Sequence, residues 1–226
     1  MKKPMIYSEV LYIISVLMLA LGNSLSAYGN LGMSMVVAPA YVLHLVLVDM
    51  LPFFSFGVAE YTVQALVIVV LSVMMRRIKL RYFLSFCTTL LYGLVLDGFM
   101  RMTALFPHIL WLRITAYVIG TVVCSAGVAL MFCAYFPPGL YEVFVQEITE
   151  RWRLRLGVVK TVYDVCSLLV AVGMSLLLFG ELRGIGVGTV VCAFINGTLI
   201  HLFGKWFERR LMIRDAFPWR TFFKEV

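Results

Sequence analysis

Lys160 and Asp164 stand four residues apart at the start of an apolar run, Leu156-Gly-Val-Val-Lys-Thr-Val-Tyr-Asp164, which continues unbroken to Phe179. On a helix that spacing puts the ammonium and the carboxylate one turn apart on one face, at or just inside the edge of a membrane. Glu142, in the preceding segment Leu140–Arg151, completes a possible charged cluster. Ionisable groups at membrane depth are paired as a rule and often line a pathway, so the three are candidates for binding or gating. A structural reading competes: Lys160 is only about one turn into its run and can snorkel to the interface, with Asp164 as a simple helix staple.

A fainter copy of the pattern opens at Phe56-Gly57, with Glu60 in the place of Lys160 and Gln64 in that of Asp164. With Asp97 these form a mirror-related set, although Asp97 also reads as a solvated residue at a span end. His201 is isolated on an apolar run, with no second histidine at ligand spacing, and reads as a hydrogen-bonded structural residue rather than a metal ligand. Asn196 and Thr198 on the same run are expected to hydrogen-bond between helices. Gly184-Ile-Gly-Val-Gly188 lacks the lysine and preceding strand of a phosphate loop, so close helix packing or local unwinding is the better account. No nucleophile–base pair, metal set or carboxylate pair is legible at catalytic spacing, so a non-enzymatic protein without cofactor or metal is expected.

The elements that must position these residues are membrane spans. The chain of 226 residues is 62% hydrophobic and 14% charged, with a mean hydropathy of +0.97, outside the range of water-soluble domains. Cys87, Cys124, Cys133, Cys166 and Cys192 all lie in apolar runs without CxxC spacing and read as small core residues. No cleavable signal is evident after Lys2 and Lys3. Spans are expected over Val10–Tyr28, Val58–Met75, Phe83–Met100, Ile114–Tyr135, Val158–Phe179 and Ile185–Phe203. Glycines and asparagines between Gly22 and Gly32 predict a break at the end of the first.

Met33–Leu51 is apolar enough to span but holds Pro39, His44 and Asp49. If it does not cross, sixteen of the 19 Lys and Arg residues fall on one side and only Arg101, Arg113 and Arg183 on the other. That asymmetry favours six spans with both termini cytoplasmic and Met33–Leu51 re-entrant or interfacial. The second half repeats the order of parts. Ala27-Tyr-Gly-Asn-Leu-Gly-Met-Ser-Met-Val36 lines up with Ala134-Tyr-Phe-Pro-Pro-Gly-Leu-Tyr-Glu-Val143, Gly57 with Gly157, Tyr92-Gly93 with Asn196-Gly197, and Asp97 with His201. Three spans per half make the halves inverted, an arrangement many transporters share. The divisions are residues 1–106, 107–206 and a tail of 207–226. The fold class is an all-α polytopic membrane protein of two inverted three-span repeats, each with a short re-entrant or interfacial helix.

Leu31-Gly-Met-Ser34, Pro138-Gly139 with an acid soon after, Leu156-Gly-Val-Val-Lys-Thr161 and Gly184-Ile-Gly-Val-Gly-Thr189 together resemble the YczE/YitT group of bacterial multi-span membrane proteins, over nearly the whole chain. The family pattern often continues the first motif with Ser-Pro-Trp-Asp, where this chain has Ser34-Met-Val-Val37, and it tends to carry Arg at the place of Lys160 and Asp near Glu142. The resemblance implies an integral protein of the bacterial cell membrane with the repeat above; it implies no substrate.

The tail interleaves bases and aromatics. Directly after a span this reads as an interfacial helix anchored by Trp206, Trp219 and Phe222 that binds anionic lipid headgroups through Arg209, Arg210 and Arg214, not as a nucleic-acid surface. Two functions follow from the whole: a transporter or translocator of a lipid or small molecule, or a non-transporting scaffold that assists another protein. A polar path to the bilayer midplane favours the first, and closely packed apolar midplane helices the second.

Overall fold

The structure is a computed structural model and describes residues 5–51, 53–77 and 79–215. Six helices are long and apolar enough to cross a membrane: α1 (Ser8–Gly29), α3 (Phe56–Met75), α4 (Leu80–Thr103), α5 (Leu110–Cys133), α7 (Leu156–Phe179) and α8 (Val187–Arg210). At 1.5 Å per residue they reach about 30–36 Å, the thickness of a hydrocarbon core. The other two, α2 (Ala38–Leu47) and α6 (Leu140–Trp152), have 10 and 13 residues. They reach only about 15 and 20 Å and cannot cross. Met33–Leu51 is therefore no span. Pro39 lies in the first turn of α2, where its missing N–H costs nothing. The Met33 N–H donates to the Gly184 carbonyl (3.0 Å), and His44 Nδ1 lies 3.0 Å from the Phe54 carbonyl, close to the start of α3.

Six crossings return the chain to the side on which it began. Strands β1 (Met5–Tyr7) and β2 (Met212–Arg214) meet there as a parallel pair, Ile6 opposite Ile213. We call this the terminal side and the opposite one the far side. Over the described part of the tail, residues 207–215, no separate interfacial helix forms; the remainder of the stretch expected as one, to 226, lies outside the described residues. Helix α8 runs on to Arg210, Phe207 is buried, and Ile6 and Ile213 pack against the same cluster as Leu11 and Leu130. Strand pairing plus that apolar contact outcompetes a helix lying on the surface. Trp206 is exposed; Trp219 and Phe222 lie outside the described residues.

Helices α1 and α5 form the tightest pair. A Cβ added at Gly22 would lie 2.7 Å from both the Cys124 nitrogen and the Gly120 oxygen. The small residue there lets two backbones touch, the usual basis of helix association in lipid. The break expected between Gly22 and Gly32 falls at the end of that stretch. Helix α1 continues through Gly29 and ends at Asn30, which adopts the left-handed conformation (φ 50). Around this pair α4 packs on α1, α8 on α5, and α3 on α4, while α2 lies between α3 and α7, and α6 touches α3, α4 and α7. Helices α7 and α8 turn most of their surface outward: 11% and 17% of their span residues are buried, against 56% in α1. Cys87 and Cys166 are likewise exposed on outward faces, contrary to the core placement expected of them.

Candidate functional site

Helix α3 begins at a built cap. The Ser55 hydroxyl accepts from the Val58 N–H (3.2 Å) and donates to Asp97 Oδ2 (2.5 Å), while Asp97 Oδ1 accepts from the Gly57 N–H (2.8 Å). Asp97 therefore serves the unsatisfied N–H groups and the positive end of the helix. It does not join Glu60 and Gln64, and it is not merely a solvated terminal residue. Gly57 makes this possible, since a Cβ there would stand 2.5 Å from the Gly93 oxygen.

One turn on, Glu60 is fully buried. Its Oε2 accepts from Gln64 Nε2 (3.1 Å) and from the Tyr141 hydroxyl of α6 (3.0 Å), and Oε1 has no hydrogen-bond partner among the described residues. Thr89 of α4 donates to Gln64 Oε1 (2.5 Å). Tyr92, close in space to Glu60, accepts from Asn23 Nδ2 of α1 (2.7 Å), and Asn23 Oδ1 accepts weakly from Cys124 Sγ of α5 (3.8 Å). Five helices thus meet in one polar network. Gln64 and Tyr92 fall near the midpoints of α3 and α4, so the network lies at mid-membrane depth. No described Lys or Arg pairs with Glu60, and Glu142 lies within electrostatic range of it.

Polar contacts continue along the α1–α4 interface in both directions. Tyr12 donates to Thr88 (2.7 Å), Ser24 and Thr103 bond at 2.9 Å, and Tyr28 donates to the Pro107 carbonyl (2.5 Å). A cavity opens at each end. The far vestibule, about 280 Å³, is lined by Tyr28, Asn30, Tyr41, Thr103, His108 and Arg113. The terminal vestibule, about 200 Å³, is lined by Arg81, Tyr135, Phe136, Pro137, Pro138 and Gln146. In the latter Arg81 donates to Gln146, and the adjacent Lys79 pairs with Glu147 at 2.7 Å.

Of the trio on the terminal side, Lys160 and Asp164 are bonded at 3.0 Å, with side chains 37% and 26% exposed. Glu142 makes no side-chain bond to them. It lies within electrostatic range: burial raises its carboxyl above the ordinary value and Lys160 opposes that rise. Helix α6 joins the two sets that the sequence kept apart, with Tyr141 turned to Glu60 and Glu142 toward Lys160. His201 is exposed on the outside of α8, and no described residue bonds it, so the expected structural hydrogen bond is absent because that face has no protein neighbour. Thr198 is exposed too, whereas Asn196 accepts from Ser125 of α5 (2.6 Å) as expected. The glycines at 184–188 do admit backbone, the Gly188 N–H donating to the Leu31 carbonyl at 2.8 Å.

Tyr141, Tyr92, Thr89 and Asn23 were not singled out from the sequence. A signal existed for α4: Tyr82, Ser85, Thr89 and Tyr92 recur at three- and four-residue intervals and form its buried face, the reverse of a soluble amphipathic helix. Thr89 and Tyr92 of that face find partners on α3 and α1, which only the packed structure supplies, while the Tyr82 and Ser85 hydroxyls have none among the described residues.

These elements define an integral membrane protein with six spans and two short helices that do not cross. The chain belongs to a family of unknown function, DUF6198, which matches it over residues 6–205. No curated protein and no solved structure matches it significantly.

Proposed function

We propose that this protein moves a small solute across a bacterial cell membrane by opening its two vestibules in turn, with Glu60 at the closed point between them. The observation that carries the reading is Glu60 itself: a buried carboxyl at mid-membrane depth that has, among the described residues, no hydrogen-bond partner for one oxygen and no counter-ion. A bare charge there costs several kcal/mol, about 2.5–3.5 on insertion scales, so the site calls for a cation, either a proton or a metal ion. Its loading is coupled to the helices, because Tyr141 donates a charge-assisted bond to the carboxylate and a weaker one to the neutral acid. Neutralising Glu60 therefore loosens α6 from α3.

The reading takes the chain as two inverted repeats, 1–106 and 107–206, as in the YczE/YitT-like resemblance. The pairing of α1 with α4 and of α5 with α8 supports that division, and the sixteen-to-three distribution of Lys and Arg supports cytoplasmic termini. It assigns no enzymatic step. A second reading, a scaffold that holds another membrane protein, is favoured by the outward apolar faces of α7 and α8. Single cysteines at Ala104 in the far vestibule and at Gln146 in the terminal one, in a cysteine-free chain, separate the two. Transport requires reciprocal labelling, one site gaining access as the other loses it, when Glu60→Gln is compared with the parent. A scaffold leaves both labels unchanged, and that result rejects the transport reading.

A further inference from the structure

We infer that the solute is a small soluble anion, carrying a carboxylate or a phosphate, and that the far vestibule is where it first binds. The inference rests on the transport reading and names its substrate class. Arg113 lies in the first turn of α5 and lines the far vestibule with His108, Asn30, Tyr28 and Thr103. Its Nε donates to the Gly29 carbonyl (3.3 Å), which anchors the side chain at the cavity wall and leaves the two terminal nitrogens of the guanidinium without an acceptor among the described residues. Among the described residues Arg113 has no acidic partner, and no Asp or Glu lines the cavity.

The terminal vestibule repeats the chemistry. It too is lined by one arginine, Arg81, beside an amide, Gln146, and by no acid, although Glu147 stands next to it as the partner of Lys79 and Glu9 accepts from Tyr135 at its rim. A guanidinium with a planar fork of donors matches a carboxylate or phosphate, and a low-dielectric cleft of one sign concentrates ions of the other. Volumes of about 280 and 200 Å³ hold a metabolite of a few carbons rather than a whole phospholipid. Glu60 between them repels an anion unless it holds the cation that its own burial requires, so anion and cation are admitted in one cycle.

Charge-selective thiol labelling at Ala104→Cys tests this. The probes are a sulfonate-bearing and a trimethylammonium-bearing methanethiosulfonate, each rate divided by that with a free thiol. A unit charge about 8 Å away in a water-like medium shifts each rate a little over twofold in opposite directions, so the sulfonate should be preferred roughly fivefold at low salt. The preference should vanish in Arg113→Gln and persist in Arg113→Lys. Free succinate or phosphate should slow the sulfonate reagent in phosphatidylcholine vesicles, and choline should not. Equal rates, preference for the cation, or a preference indifferent to Arg113→Gln overturn the inference. So does protection that appears only in phosphatidylglycerol vesicles without competition by succinate or phosphate, for the occupant is then a lipid headgroup. None of these results touches the reciprocal labelling on which the transport reading stands.

Discussion

Replacing Glu60 by Gln and by Ala should give opposite pictures of stability. In Glu60→Ala the Tyr141 hydroxyl and the Gln64 amide, bonded at 3.0 and 3.1 Å to Oε2, both lose their acceptor in a fully buried site. A donor orphaned in this way costs about 1–3 kcal/mol, and the cavity left by the side chain adds to it, so a net loss of about 2–5 kcal/mol is expected. Glu60→Gln keeps one oxygen for both donors and removes a charge that has no counter-ion among the described residues. Its own amide replaces Oε1, which had no partner to lose. The Gln variant should therefore unfold within about 1 kcal/mol of the parent, or later. The assay is the midpoint of denaturant-induced unfolding of purified protein in detergent, read by tryptophan fluorescence, with the labelling reciprocity measured in parallel. A Gln variant as unstable as the Ala variant would refute the reasoning, for the carboxylate would then have to be stabilised by a charge that the packing does not provide.

Four further outcomes follow. Gly22→Leu should destabilise by about 1–3 kcal/mol or more, because its Cβ meets the α5 backbone at 2.7 Å, while Gly173→Ala, with nothing within 4 Å, should be neutral; equal thermal midpoints would remove α1–α5 contact as the axis of the fold. Lys160→Met and Asp164→Asn should each cost at most about 1 kcal/mol, since the pair is a third exposed, and the double variant should recover it. If growth complementation returns with stability in that double variant, the pair is a staple and not part of a gate. Burial holds the Glu142 carboxyl above its ordinary 4.5, so it takes up protons on folding, and its contribution is greatest at low pH and declines as pH climbs from 4.5 through the raised value. Glu142→Gln should flatten the unfolding midpoint over that window, and a variant whose profile tracks the parent contradicts the assignment. Finally, single cysteines beside Lys79 and Arg153 should label from one face of the membrane and one beside Arg183 only from the other; labelling of the Lys79 site from the Arg183 face would break the six-span topology.

Six spans, the failure of Met33–Leu51 to cross and the collection of basic residues on one side were all legible in the sequence. Each depends on a quantity summed along the chain, namely hydropathy over about 20 residues and the count of Lys and Arg between runs. The Lys160–Asp164 bond was legible too, because an i,i+4 pair on one helix needs no partner element. Where a residue turned out to matter through a second helix, the sequence misled or was silent. Asp97 looked like a partner of Glu60 and Gln64 or a solvated end, and caps α3; His201 looked anchored and faces outward; Gly22 gave no sign of the α5 backbone it meets. Glu60 stood out by its type, but its depth and its bonds to Gln64 and Tyr141 arise only when α6 comes back against α3, bringing together residues 81 positions apart. In a membrane the apolar code says which segments leave water and is nearly blind to which face of each meets protein rather than lipid. That choice is made by close backbone approach and by polar groups finding one another, and both exist only in the packed molecule.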